Sequence, residues 1–168
     1  MKKWFSALFC VLLLWGCSDP EALETVNDTY VAPEIPEAQS THFWMPEGAA
    51  LSVSEGTGEL YVCDDYTALV QVFASGDLEA TLRAVTGYGK DRLELLGWKT
   101  AQGQRWECAW ASAGENGDQI ARTLILDDGN YHYTLTLQAP AEKGGELTPA
   151  WNEIFQTFEL GREEITKG

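Results

Sequence analysis

The chain is poor in the residues that usually perform chemistry at neutral pH. Its 168 residues include two histidines, His42 and His132, and four cysteines, none of which form a Cys-x-x-Cys pair. No second histidine lies at ligand spacing from His132, so no zinc or redox motif is suggested. Gly-x-Ser-x-Gly, His-Glu-x-x-His and a phosphate-binding glycine loop are also missing. We therefore predict no catalytic residues, no metal site and no cofactor, and expect that the protein is not an enzyme.

Positive charge is equally scarce. Eleven Lys and Arg stand against 26 Asp and Glu, a formal net charge of −15, and no Lys or Arg occurs between Lys3 and Arg83. This balance argues against nucleic acid as a partner, since its phosphates would be repelled, and permits a cationic protein partner. Solubility in a crowded compartment would explain the same acidity, so charge alone leaves both interpretations open.

The longest apolar run, Trp4 to Trp15, is too short for a transmembrane helix. It follows Lys2 and Lys3, the charge order of a secretory signal. Its end, Leu14-Trp15-Gly16-Cys17, resembles the lipobox of bacterial lipoproteins, although Trp15 stands where a small or aliphatic residue is usual. The resemblance implies that residues 1–16 are a lipoprotein signal peptide and that Cys17 is acylated; an ordinary signal cut elsewhere is the alternative.

Acylation of Cys17 would anchor the chain in a membrane. Two or three acyl chains make release negligible, at ~0.8 kcal/mol per buried CH₂. Ser18 resembles the residue of outer-membrane-directed lipoproteins, since an Asp there retains enterobacterial-type lipoproteins in the inner membrane. We expect a periplasm-facing lipoprotein of the bacterial cell envelope, in the outer rather than the inner membrane.

The mature chain divides into three parts. Residues 17–41 comprise the acylated cysteine and a disordered acidic tether, rich in carboxylates and prolines, that would span ~25–30 Å as a flexible coil. Residues 42–161 form a single domain, and 162–168 a C-terminal tail. Without the signal the chain has 152 residues and a formal net charge of −17, enough length for one domain with a real core.

The domain alternates short β-rich runs with turn signals. Helices are predicted at Asp77–Gly87 and from Thr148, the N-cap, with Pro149 in the first helical position. The second carries an apolar stripe formed by Trp151, Ile154, Phe155 and Phe158, which should pack on the sheet. The predicted strands are Ala50–Ser54, Glu59–Cys63, Tyr66–Phe73, Arg92–Thr100, Gln104–Ser112, Gln119–Leu126 and Asn130–Gln138.

These elements indicate an α+β fold, with an antiparallel sheet of six to seven strands covered by helices. Several segments stand in a distinctive order along the chain: Phe43–Gly48, Leu69–Phe73, Gly76-Asp77-Leu78, Asp128–Leu137, Ala139-Pro140 and Thr157–Leu160. This order resembles that of the DcrB-like lipoproteins, a family with a PsbP-like α/β/α sandwich. The resemblance implies a binding, adaptor or stability-related envelope protein without a shared catalytic constellation.

Several side-chain groups have two interpretations. Cys63 and Cys108 could form a disulfide worth ~4 kcal/mol, or remain two separate thiols on different strands. Asp127-Asp128-Gly129-Asn130 superficially resembles a calcium loop, but a hairpin turn fits it better. The adjacent carboxylates Asp64-Asp65 and Glu163-Glu164 could be imagined as an acid/base dyad, although neighbours on a strand point to opposite faces.

The leading hypothesis is a non-catalytic, membrane-anchored adaptor that binds a protein partner through residues the sequence does not identify. One alternative is an immunity lipoprotein that neutralises a toxin delivered to the periplasm, since acidity speeds the capture of a basic target. Another is a binder of a small apolar or aromatic ligand, held by tryptophans that are more simply core residues. Those tryptophans are Trp98, Trp106, Trp110 and Trp151.

Overall fold

Nine strands and two helices make up the described chain, in a computed structural model that describes residues 34–55, 58–114 and 117–161. The strands are Thr41–His42 (β1), Ala50–Glu55 (β2), Gly58–Val62 (β3), Thr67–Ala74 (β4), Leu96–Thr100 (β5), Gly103–Gly114 (β6), Gly117–Asp127 (β7), Tyr131–Pro140 (β8) and Glu159–Leu160 (β9). Seven of them form one antiparallel sheet in the order β2-β3-β4-β8-β7-β6-β5, and β1 pairs with β9. The predicted signal peptide, Cys17, most of the predicted tether, and the predicted tail with Glu163-Glu164 lie outside the described residues.

The predicted α+β fold with an antiparallel sheet is confirmed. The strand predicted at Arg92–Thr100 was wrong at its start, because β5 begins only at Leu96. A 3₁₀ turn over Lys90–Arg92 precedes it, closed by a hydrogen bond from the Arg92 N–H to the Gly89 carbonyl at 3.0 Å. The Lys90 N–H also donates to the Glu79 carboxylate at 2.7 Å, which holds this segment against the preceding helix.

The first helix, α1, spans Leu78–Thr86 as predicted. The Asp77 side chain accepts a hydrogen bond from the Ala80 N–H at 3.2 Å, and Gly87 ends the helix in a left-handed conformation (φ 78°). Leu82 is fully buried against Cys108 and Ile125. Because α1 has only nine residues, this one leucine is its main apolar attachment to the sheet.

The second helix, α2, spans Gly144–Thr157, so the predicted start at Thr148 and Pro149 was wrong. Pro149 lies inside the helix, where its missing N–H leaves one carbonyl of the preceding turn without a helical partner. Packing outweighs that loss, since Leu147 is buried in the core and Gly144 lies against Ile120. The Thr148 hydroxyl donates back to the Gly144 carbonyl at 2.7 Å instead of capping the helix.

The two helices lie on opposite faces of the sheet. The predicted apolar stripe of α2 is buried against the large core, which includes Leu124, Leu135 and Leu137. Strand β8 alternates as predicted, with Tyr133, Leu135 and Leu137 on the α2 face. Its polar positions are nevertheless buried on the α1 face, because helix α1 and the indoles of β6 cover them.

The segment before the domain contacts it from Gln39 onwards. The Gln39 N–H donates to the Tyr133 hydroxyl at 2.9 Å, and the Gly161 N–H donates to the Ser40 carbonyl at 2.6 Å beside the β1–β9 pair. The last residues of the predicted tether are therefore attached to the domain, at the end of the sheet where the β7–β8 hairpin turns. Neither described helix is both long and apolar enough to cross a membrane.

Candidate functional site

His132 is the centre of a buried polar network beneath α1. Its imidazole is 2% exposed, with Nδ1 2.7 Å from the Thr81 hydroxyl and Nε2 3.6 Å from an Asp127 carboxylate oxygen. Burial lowers the pKa of His132, although the nearby carboxylates oppose this shift, with Asp127 the strongest of them. The other oxygen of Asp127 accepts hydrogen bonds from the Ser75 hydroxyl and the Gly129 N–H.

Thr81, His132 and Asp127 have the chemical order of a hydroxyl nucleophile, a base and an acid. The Thr81 side chain is buried inside the α1–sheet contact, so a substrate cannot reach its hydroxyl in this conformation. The Ser75 hydroxyl at the β4–α1 connection is bound to Asp127 as well. We conclude that the network fastens α1 and the β7–β8 hairpin to the sheet, with His132 buried and hydrogen-bonded.

The Asp127–Asn130 segment forms a hairpin turn, as predicted from the sequence. Asp128 accepts hydrogen bonds from the Asn130 and Tyr131 N–H groups with one oxygen, and from the Tyr133 hydroxyl and the Gln39 amide with the other. Burial alone would raise the pKa of Asp128, but these four bonds outweigh it and lower the pKa. Within residues 34–55, 58–114 and 117–161 no group of three His, Cys, Asp or Glu side chains is placed to hold a metal ion.

Cys63 and Cys108 are both free thiols. Cys63 follows β3 and Cys108 lies on β6, so β4, β8 and β7 stand between them in the sheet. The four strand-to-strand spacings from β3 to β6 amount to about 19 Å at ~4.8 Å each, well beyond the reach of a disulfide. Burial raises the pKa of both thiols, that of Cys108 to about 11. The disulfide considered from the sequence is therefore not formed, and the alternative of two separate thiols describes this structure.

An open cleft of about 440 Å³ lies beside Cys63, at the end of the sheet opposite the β7–β8 hairpin. Asp64, Asp65, Tyr66 and Lys143 are among its lining residues. Lys143 forms an ion pair with Asp65 at 3.2 Å, so the two adjacent carboxylates do not act as a matched pair. The Tyr66 side chain is buried in the core beside Cys63, and burial raises the pKa of its hydroxyl.

The four tryptophans considered as ligand contacts are separated by the fold. Trp151 is fully buried in the α2 core, where its ring packs edge-on against Tyr66. Trp106 and Trp110 pack under α1, and the Trp110 indole N–H donates to the Thr123 hydroxyl at 3.1 Å. Trp98 alone of the four is exposed, at 41%, on the edge strand β5. The structure does not bring them together into one aromatic site.

A charged cluster that the sequence analysis missed lies at the β5–β6 end of the α2 face. Glu107 pairs with Arg105 at 3.1 Å and with Arg122 at 3.4 Å. Arg105 also donates to the Phe155 carbonyl and lies 5.4 Å from the Trp98 ring, while Arg122 lies 5.0 Å from the Phe155 ring. Same-face spacing of Arg105 and Glu107 on a strand was the available signal. The charged groups of this cluster therefore bind one another and Phe155, which holds the end of α2 on the sheet.

Exposed apolar side chains on the opposite face were also missed. Val53 and Val62 are 44% and 42% exposed on strands β2 and β3. Leu60 and Leu69 lie beside them and are half-buried. These four residues are called the open face from here on.

No family model matches the chain, and a search of curated proteins found no similar sequence. Solved structures share its fold. The solution structure of cyanobacterial PsbP (CyanoP) from Synechocystis matches with a TM-score of 0.52 at 10% identity, covering 72% of this chain and 86% of that one. The Ran-binding protein Mog1p of Saccharomyces cerevisiae matches with a TM-score of 0.50 at 11% identity, covering 71% and 89%. The chain therefore has a PsbP- and Mog1-like α+β fold, while the narrower resemblance to DcrB-like lipoproteins stays a prediction.

Proposed function

We propose that this protein is a non-catalytic lipoprotein of the bacterial envelope, anchored through Cys17 and facing the periplasm, that binds a protein partner. The observation that carries the proposal is the combination of a lipobox-like N-terminus with a domain that leaves apolar strand residues exposed. Exposed apolar patches on a soluble domain usually mark interaction sites. An anchor and a tether would restrict such a domain to partners near the membrane.

The polar groups of the domain support a binding role rather than catalysis. Asp127 and His132 serve the attachment of α1, and Asp128 organises the hairpin. Asp65 is engaged by Lys143. Each of these carboxylates already has protein partners, whereas a catalytic acid or base needs access to a substrate proton.

The net charge favours a basic partner. A chain with 26 acidic and 11 basic residues attracts cationic proteins and speeds their association. A basic toxin delivered to the periplasm would fit this chemistry, and the protein would then act as an immunity lipoprotein. The identity of the captured partner separates this role from that of an adaptor.

The anchor is tested by labelling cells that express the full-length chain with an alkyne-bearing fatty acid. We expect the label and membrane association in the natural chain, and the loss of both in Cys17→Ser. Cys10→Ser is the matched control, because Cys10 lies in the segment removed with the signal and should leave the label unchanged. Undiminished labelling of Cys17→Ser, or a soluble natural chain, would contradict the proposal.

Partner binding is tested by crosslinking in intact cells, followed by solubilisation and mass spectrometry. We expect one enriched protein in stoichiometric amount with the natural chain, and much less of it with Cys17→Ser, since the anchor raises the local concentration. If no protein is enriched with either chain, the binding role is wrong. If the natural chain and Cys17→Ser enrich the partner equally, the anchor does not contribute to partner binding.

A further inference from the structure

The sheet face beneath α1 is wider than the helix that covers it. Seven strands at ~4.8 Å spacing span about 29 Å, whereas a helix is ~10 Å wide and nine residues extend only ~13 Å. Leu82 of α1 packs on Ile125 of β7 and Cys108 of β6, and Thr81 reaches His132 of β8. The cover therefore lies over β6, β7 and β8. On the β8 side of this cover, strands β2 to β4 have no helix over them in the described part of the chain.

The open face forms a continuous apolar surface on these uncovered strands. In the strand register Val53 lies opposite Leu60, and Leu60 lies opposite Leu69, so the three side chains make one row across β2, β3 and β4. Val62 lies on the same face, two residues from Leu60. Side chains in such a row present neighbouring methyl groups that one partner surface can cover together.

The sequence around the open face contributes negative charge only. Residues 50–77 contain no Lys or Arg, and of their five Asp and Glu residues Glu59 lies on the α2 face, where its carboxylate accepts a hydrogen bond from the Tyr61 hydroxyl. Asp64 follows β3 and Asp77 follows β4, both are exposed, and neither forms an ion pair within the described ranges. Lys143 reaches this stretch from the α2 side, and it neutralises Asp65.

The other exposed apolar side chains of the sheet have a different electrostatic environment. Leu96 and Trp98 lie on β5, at the far edge and on the other face. Lys99 belongs to the same strand, and the Arg105 guanidinium lies 5.4 Å from the Trp98 ring. Leu96 itself lies opposite Glu107, which pairs with Arg105 and Arg122, so charges of both signs surround it and largely cancel. A cationic partner gains less attraction there than at the open face, and Leu96 is an exposed aliphatic control for Val62.

We propose that the open face is the docking site for a cationic amphipathic segment of the protein partner. Its apolar side chains would lie on Val53, Leu60, Val62 and Leu69, and its Lys or Arg side chains would reach Asp64 and Asp77. A helix of about ten to fourteen residues beside α1 would complete the layer that α1 begins. This inference rests on the proposed binding function and names the surface and the partner chemistry.

The site is tested by placing a photo-crosslinking benzophenone side chain at Val62 of the full-length chain, and at Leu96 as the control. We expect adducts in cells at position 62 and few at 96, with the crosslinked partner peptide containing apolar residues at helical spacing, three or four positions apart, and Lys or Arg residues between them. Equal adducts at both positions would overturn the inference. So would a crosslinked peptide that is acidic, or one that comes from a second copy of this chain.

A synthetic Leu/Lys amphipathic helix and its Leu/Glu counterpart give a direct test in solution. The Leu/Lys peptide should bind the full chain, and Val62→Lys should weaken that binding about tenfold, since it removes apolar contact and adds a like charge. Leu96→Lys should change binding less than twofold. Val62→Glu, which keeps the favourable sign, should bind better than Val62→Lys. Equal weakening by Val62→Lys and Leu96→Lys, or tighter binding of the Leu/Glu peptide, would refute the charge argument.

The two proposals fail differently. If whole-surface crosslinking captures a partner but position 62 does not, the protein binds through another surface and only this inference is wrong. If no partner is captured by either method, the binding function itself is wrong.

Discussion

Replacing Thr81 by valine would remove the hydroxyl that meets the buried imidazole of His132. The two side chains have nearly equal volume and similar helix propensities, so the polar contact is the main change. The 2.7 Å hydrogen bond to Nδ1 is lost, and the ring nitrogen is left buried without a partner. An unsatisfied buried group costs ~1–3 kcal/mol, so we expect the free energy of unfolding to fall by about 2 kcal/mol.

Urea denaturation followed by tryptophan fluorescence measures this loss, because the Trp106 ring packs edge-on against His132. We expect a lower midpoint for Thr81→Val with an unchanged slope. Thr81→Ser keeps the hydroxyl and loses one buried methyl group, at about 0.8 kcal/mol. If Thr81→Val is as stable as the natural chain, or more stable than Thr81→Ser, the hydrogen bond does not fasten α1 as argued.

The same network predicts a dependence of stability on pH. The folded pKa of His132 is lower than its unfolded value of ~6.5, so the unfolded chain binds a proton first as pH falls. Stability should therefore decrease from about pH 7 downward until the folded pKa is reached. His132→Gln should remove this component. Asp128, whose pKa is also lowered, contributes in a separate window below about pH 4, where its stabilisation is lost on protonation.

Two substitution pairs test the packing. Leu82→Ala should lower the free energy of unfolding by about 2–5 kcal/mol in urea denaturation, because it leaves a cavity at the centre of the contact between α1 and the sheet. Leu96→Ala, at a position that is 59% exposed, should lower it by less than about 0.5 kcal/mol. Similar losses for the two variants would show that packing does not hold α1. Gly103→Ala, at a φ of +130°, should lower the free energy of unfolding by about 3 kcal/mol or more, because a Cβ there would overlap the Asp127 carbonyl. Gly76 has a similar φ of +123° but open space around it, so Gly76→Ala should lose only the ~1–3 kcal/mol of backbone strain. If the two glycine variants lower the melting temperature equally, the overlap with the Asp127 carbonyl does not contribute.

The local signals of this sequence predicted its elements well. Asp77 and Gly87 mark the ends of α1 because a cap is decided by a few neighbouring residues. The Asp127–Asn130 turn and the alternation of β8 are local in the same way. Pro149 was misleading, because burial of Leu147 and contact with Ile120 extend α2 through it. Such tertiary contacts are invisible in the local pattern.

The functional surfaces depended on contacts between distant residues. The period of two placed His132 on a polar face, but only the position of α1 turns that face into a buried network. The open face arises because one short helix covers strands β6 to β8 and leaves Val53 and Val62 in solvent. The separation of Cys63 from Cys108 likewise follows from the strand order, which the sequence does not state.

The attachment of Ser40 to Gly161 has a mechanical consequence for an anchored protein. A pulling force on the tether enters the domain at Gln39 and Ser40, where it meets a two-residue strand pair and the bond from Gln39 to Tyr133. These contacts lie in series along the chain, so they peel apart one after another, whereas the long strands of the sheet share a load across many bonds at once. If the chain is anchored as proposed, this attachment would yield first and release several residues, while the seven-stranded sheet and its open face keep their shape.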